Sequence, residues 1–175
     1  MGALDEMKGV EGRNDFVVYR AALATSTPAA VLNRQWAELM ENYHRYLEKV
    51  EEIIMVSGNP FMRRKDGSVL MVAPNDYVAW TKLLSIITNQ FYEGLEKQGI
   101  EGKKELWFMR KLTPKAKQGL EKIGWVVKAE VGDMIPPEEK ERLEKERSAK
   151  VALSQRKGKN ELAKKEKKEL MKEKE

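Results

Sequence analysis

Thr27 to Gly58 reads TPAAVLNRQWAELMENYHRYLEKVEEIIMVSG, and how far its helix runs decides the fold. Thr27-Pro28 puts an N-cap hydroxyl directly before a proline at the first helical position, where a missing N–H costs nothing. Apolar side chains then recur at Trp36, Met40, Tyr43, Leu47, Val50 and Ile54, in steps of 4, 3, 4, 3 and 4. This spacing is a heptad seam. It predicts one helix over 28–56, closed by Gly58 with Pro60 just beyond. Such a helix would be about 40 Å long.

Outward from this stretch, Asp15 to Ala24 (DFVVYRAALA) fits a strand or a helix. A short helix is favoured because Phe16, Tyr19, Ala22 and Leu23 share a helical face. Downstream, residues 59–75 read NPFMRRKDGSVLMVAPN. Asp66-Gly67 is a hairpin signal, which predicts short strands over 61–64 and 69–72. Asn75 then caps a second helix over 76–98, with the seam Tyr77, Trp80, Leu84, Ile87, Phe91 and Leu95 and a stop at Gly99. Residues 105–131 add a strand from Leu106 to Arg110, a Thr113-Pro114 helix start, a Gly124 C-cap and a strand from Trp125 to Val131. That order suggests a small βαβ-like unit. The connection is short for a parallel crossover, so pairing of the two strands with each other stays open.

The expected fold class is therefore mainly α with small β elements (α+β). An antiparallel long-helix hairpin carries a β-hairpin tip, followed by the strand–helix–strand unit and a C-terminal charged helical tail. The expected segments are 1–26, an N-terminal arm and short helix, 27–132, the core, and 133–175, the tail. In the tail, Glu and Lys pair at i,i+4, as in Glu141–Lys145 and Glu146–Lys150, with a break near Lys157-Gly158. Such a helix bridges solvent, docks on a partner or frays.

Charge separates these parts. Of the 175 residues 35% are charged, above the usual quarter. Met1 to Glu146 holds 22 Lys+Arg against 23 Asp+Glu, net −1, and Arg147 to Glu175 holds 11 against 5, net +6. The net charge of +5 thus belongs to the tail. There is no cysteine, which rules out disulfides, thiolate metal sites and cysteine nucleophiles. No apolar stretch is long enough for a membrane span, and the acidic N-terminus lacks a secretory h-region. A cytoplasmic location is expected, host cytoplasm if the source is viral.

Candidate chemistry is sparse. His44 is the only histidine and reads as structural, since a lone imidazole builds no metal site. Asp5-Glu6, Glu51-Glu52 and Glu138-Glu139 are paired acids, but neighbours on a helix do not share a face, so they read as solvated surface. No phosphate-binding glycine loop is present. The four tryptophans, Trp36, Trp80, Trp107 and Trp125, lie on seams or buried strands and read as core. No enzyme, metal or cofactor is implied. Two basic groups remain. Arg63, Arg64 and Lys65 sit on the expected hairpin tip, where three cations can grip phosphates or simply keep a strand edge soluble. Arg156, Lys157, Lys159, Lys164, Lys165, Lys167 and Lys168 give the tail its positive charge. That charge suits polyphosphate, although Glu161, Glu166, Glu169, Glu173 and Glu175 dilute it.

The helix WAELMENYHRYLEKVEEI, then Gly58, the Asp66-Gly67 turn, Ala73-Pro74-Asn75, Gly99-Ile100 and Leu112-Thr113-Pro114 together resemble phage DNA-packaging terminase small subunits, over about half the chain, roughly 32–118. Glu101 to Lys111 lengthens the segment before Leu-Thr-Pro, and the Trp125 strand has no counterpart in that pattern. The resemblance implies a non-enzymatic ring that recognises viral DNA and hands it to a motor subunit. The expectation is thus a homo-oligomeric nucleic-acid-binding adaptor, self-associating through helices 28–56 and 76–98, with nucleic acid or a larger protein assembly on the tail. A structural subunit whose tail docks on such an assembly is the alternative.

Overall fold

The stretch expected as one helix over 28–56 is a helix followed by a strand. In the computed structural model, which describes residues 4–149 and 151, α1 spans Arg13–Leu23, α2 Thr27–Tyr46 and β1 Val50–Val56. Ser26 caps α2 by accepting from the Ala29 N–H, one residue ahead of the expected cap. The helix stops because the Tyr43 carbonyl accepts from both the Leu47 and Glu48 N–H groups, at 3.0 and 3.1 Å. His44 Nδ1 then accepts from the Val50 N–H at 3.0 Å and seats the first residue of β1. Beyond this point Val50, Ile53, Ile54 and Val56 are β-branched and suit a pleated surface.

The chain after β1 builds a sheet, where a helical hairpin was expected. β2 spans Asn59–Arg64, β3 Val69–Ala73, β4 Tyr77–Val78, α3 Lys82–Lys97, β5 Lys104–Phe108, β6 Lys111–Leu112, α4 Pro114–Ile123 and β7 Val126–Lys128. The main sheet has the order β1-β2-β3-β5-β7. β2 is antiparallel to β1 and β3, while β3–β5 and β5–β7 are parallel. The expected hairpin around Asp66-Gly67 is present. A second one joins β1 to β2, and it is Gly58 that makes it. Ser57 and Gly58 both have positive φ, 47° and 76°, the backbone of a two-residue hairpin turn. The glycine read as a helix stop is a strand connector. The strand–helix–strand unit closes as a parallel pair, β5 with β7, Leu106 opposite Val127.

The second helix also starts later than expected. Thr81, not Asn75, caps α3, accepting from the Leu84 N–H at 3.0 Å. Tyr77 and Val78 are held extended instead, in parallel register with Lys111 and Leu112.

Within the unit Met1–Met134, helices cover both faces of the sheet. β3 alternates strictly between them. Val69, Met71 and Ala73 join Phe91 and Leu95 of α3 and Ala116 and Leu120 of α4. Leu70 and Val72 join Phe16 of α1 and Leu39, Met40 and Tyr43 of α2. A central strand buried on both faces must read as a continuous apolar run, which VLMVA does. Met40, Tyr43, Phe91 and Leu95, expected to line faces for self-association, are therefore buried against the chain's own sheet. The outer edge of β1 is covered locally, as Glu11 bridges Glu52 and its carbonyl accepts from the Ile53 N–H at 2.8 Å.

The second unit, Ile135–Glu175, begins with a helix, α5, over 137–149. Its charges pair along its own surface, Lys145 with Glu141 at 2.6 Å and Arg142 with Glu139. The expected break near Lys157-Gly158 lies outside the described residues. No described helix is long and apolar enough to cross a membrane.

His44 makes stability depend on pH. Burial, and then the charge of Lys49, hold its pKa below the ordinary 6.5. The unfolded chain therefore takes up the proton first, and protonation would remove the acceptor from the Val50 N–H. The His44 contribution is complete above about pH 6.5 and is lost as pH falls. Melting followed from about pH 7 to about pH 5 should show a falling midpoint. In His44→Asn, whose amide oxygen can accept the same N–H, the fall should be shallower. An equal fall in both proteins would remove His44 from the account.

Candidate functional site

The three hairpin cations part company in the structure. Arg63 pairs with Glu52 across the β1–β2 ladder, at 2.6 Å. Lys65 is exposed at the turn. Arg64, expected at an exposed tip, is buried at 9% exposure. Strand alternation decides this, because Met62 faces the α2 side of the sheet and Arg64, two residues on, faces the same way. Its guanidinium donates to Glu105, to Ser68 Oγ at 2.6 Å and to the Tyr43 hydroxyl at 3.4 Å. Tyr43 in turn donates to Glu48 at 3.0 Å, and Trp107 Nε1 donates to the other Glu105 oxygen at 2.7 Å. Burial opposes the Arg64 charge, yet the bonds to Glu105 and Tyr43 outweigh it and raise its pKa above the ordinary value. Burial also pushes the Tyr43 hydroxyl up to about 12. Every member has a partner within the cluster, so this cluster ties α2, β2 and β5 together.

Arg20 is a second buried cation. Its guanidinium lies 4.0 Å over the Trp36 ring and donates to Asn33. Its Nε and Nη2 have no hydrogen-bond partner among the described residues and no access to solvent. Desolvation lowers its pKa. The tail cations Arg156, Lys157, Lys159, Lys164, Lys165, Lys167 and Lys168 lie outside the described residues.

The accessible charge gathers elsewhere. β3, β5 and β7 run parallel, so their carboxyl ends share one rim, the usual ligand-facing side of such sheets. Arg110 and Lys111 follow β5, Lys128 ends β7, Lys82 opens α3 and Lys115 lies in the first turn of α4. All five are exposed. None joins an ion pair among the described residues. The Lys128 ammonium lies 4.0 Å over the Trp107 ring, which holds it at the strand end without neutralising it. The amino ends of α3 and α4, capped by Thr81 and Thr113, add their positive dipole ends to the rim. Acids stand at this end too, Asp76 just before β4 and Glu130 and Asp133 after β7, and backbone bonds knit the edge, with the Glu130 N–H on the Arg110 carbonyl at 3.0 Å, the Gly132 N–H on the Met109 carbonyl at 3.1 Å and the Met109 N–H on the Ala73 carbonyl at 3.1 Å. Across residues 101–128 there are eight Lys+Arg against three Asp+Glu, and one of those acids, Glu105, is buried on Arg64.

Sequence reasoning missed this rim. The signal was a local charge excess that the near-neutral total for residues 1–146 averaged away. Among the described residues no three acidic or imidazole groups converge as metal ligands would. No family model, curated protein or solved structure matches the chain.

Proposed function

We propose that this protein binds nucleic acid through its phosphates and acts as an adaptor rather than a catalyst. The carrying observation is the rim: five exposed cations from four elements, none of them in an ion pair among the described residues, lie at the end of the parallel strands where α3 and α4 begin, Lys128 on the Trp107 side of the sheet. Cations that neutralise phosphates release counterions and make affinity salt-dependent. Helix amino ends add backbone N–H donors for the same oxygens. Residues 147–175, at net +6, supply a second, sequence-independent attraction. A role like that of the phage packaging subunits belongs to this same reading. It draws no support from the helix that suggested it, because Trp36 to Ile53 divides into helix, loop and strand.

The test is a titration of a labelled oligonucleotide against salt. Reversing Arg110→Glu, Lys111→Glu and Lys115→Glu together should weaken binding at least about tenfold at low salt and flatten the salt slope. A chain truncated after Glu146 should also bind more weakly. No affinity at low salt, or affinity indifferent to both changes, would sink the proposal. If truncation instead released a co-purifying protein and left nucleic-acid binding unchanged, the tail would be a protein-docking segment.

A further inference from the structure

The two-residue ladder β4–β6 has an inside and an outside. Side chains alternate along a strand, and paired residues in register project to the same side. Val78 and its partner Leu112 turn inward to the core beneath α3 and α4. Tyr77 and its partner Lys111 must therefore turn outward together. Tyr77 is 65% exposed, as open as any large apolar or aromatic side chain among the described residues except Val18. Arg110 precedes Lys111, and the ladder continues into the α4 cap through the Thr113 N–H on the Val78 carbonyl at 3.0 Å. The phenol ring is thus mounted on fixed backbone, beside Lys111 and one residue from Arg110 along the chain, at the edge of the basic rim.

We infer that Tyr77 is a stacking platform for an unpaired base, and that the rim selects single-stranded over double-stranded nucleic acid. This rests on the nucleic-acid reading above. Cations tracking a backbone beside an aromatic face are the two parts that single-strand binding needs. In a duplex the bases are already stacked, so the same ring has no free π-face to meet. Among the described residues the rim presents no long helix or ribbon that could enter a major groove. Tyr77 would carry the preference for unpaired bases, and Arg110 and Lys111 the affinity for the chain that bears them.

Fluorescence anisotropy with the full chain can test this. The probes are labelled oligothymidylate and oligouridylate of about 12 nucleotides and a hairpin duplex of the same stem length. Tyr77→Ala should weaken single-strand binding about tenfold and leave duplex binding within about twofold. Tyr77→Phe, which keeps the ring, should bind like the native chain. Because the side chain is exposed, both variants should melt as the native protein does. Loss with either single strand supports the inference, and comparing the two separates DNA from RNA as the source of the strand. Single-strand binding unchanged in Tyr77→Ala, or a native preference for duplex, overturns the inference and leaves the phosphate-binding reading standing. Absence of binding to all three probes by the native chain removes both.

Discussion

Replacing Arg64 with leucine is expected to cost about 3–5 kcal/mol of folding stability, read as a lowered urea midpoint with an unchanged slope. The loss comes from what is left behind more than from what is removed. Glu105 is 6% exposed, and without the guanidinium its carboxylate is left leaning on the Trp107 N–H. Tyr43 and Ser68 lose a donor as well. Removing one partner of a buried pair strands the other charge in a low dielectric. The double variant Arg64→Leu/Glu105→Leu should therefore be more stable than Arg64→Leu alone, by about 1–3 kcal/mol. A loss below about 1 kcal/mol for the single variant, within the range of an exposed salt bridge, would show that Arg64 is solvated rather than buried.

A second large loss is expected on the opposite face of the sheet. Trp125→Ala should cost about 3–5 kcal/mol. The indole is 2% exposed. It lies nearly parallel to Phe61 at 6.1 Å between centroids, meets the Tyr92 ring edge-on at 5.4 Å, and donates its N–H to the Thr88 carbonyl at 3.1 Å. It is the side chain through which the start of β7 reaches α3. Trp125→Phe, which keeps a ring but loses the donor, should lose clearly less. Because Arg64 and Trp125 sit in separate clusters, the two losses should add within about 0.5 kcal/mol. Equal losses for the alanine and phenylalanine variants would mean that the hydrogen bond, not the packing, is what matters at this position.

Both residues show why some of this molecule can be read from its sequence and some cannot. Trp125 is legible as core, since a large aromatic beside a C-cap glycine and ahead of a β-branched pair has few other places to go. The Thr113-Pro114 start of α4 and the Asp66-Gly67 turn are legible for the same kind of reason. Each is a local steric or capping preference expressed within a few residues. The expected face of α1 is not legible in this way: of Phe16, Tyr19, Ala22 and Leu23 only Phe16 is buried. Arg64 is not legible. Its neighbours Arg63 and Lys65 make it look like one of three surface cations, and only the pairing of β2 with β3 and of β3 with β5 brings Glu105, 41 residues away, beneath it. The rim is hidden similarly, because Lys82, Arg110 and Lys128 come to one end of the sheet only when three parallel strands end there.

The Thr27–Gly58 stretch carries the same division. Local sequence determined that a helix begins at its start, that Trp36, Met40 and Tyr43 face inward, and that glycine makes a break near residue 58. Apolar steps of 3 and 4 could not say whether Val50 to Val56 continues the helix. A helix would satisfy the N–H groups of that segment by itself and leave only the carbonyls of its last turn open, whereas a strand needs partners. Only the tertiary structure supplies them, with β2 on one side and Glu11 on the other. The β-branched side chains then gain two buried faces in the sheet, and that outweighs a heptad seam with nothing to pack against.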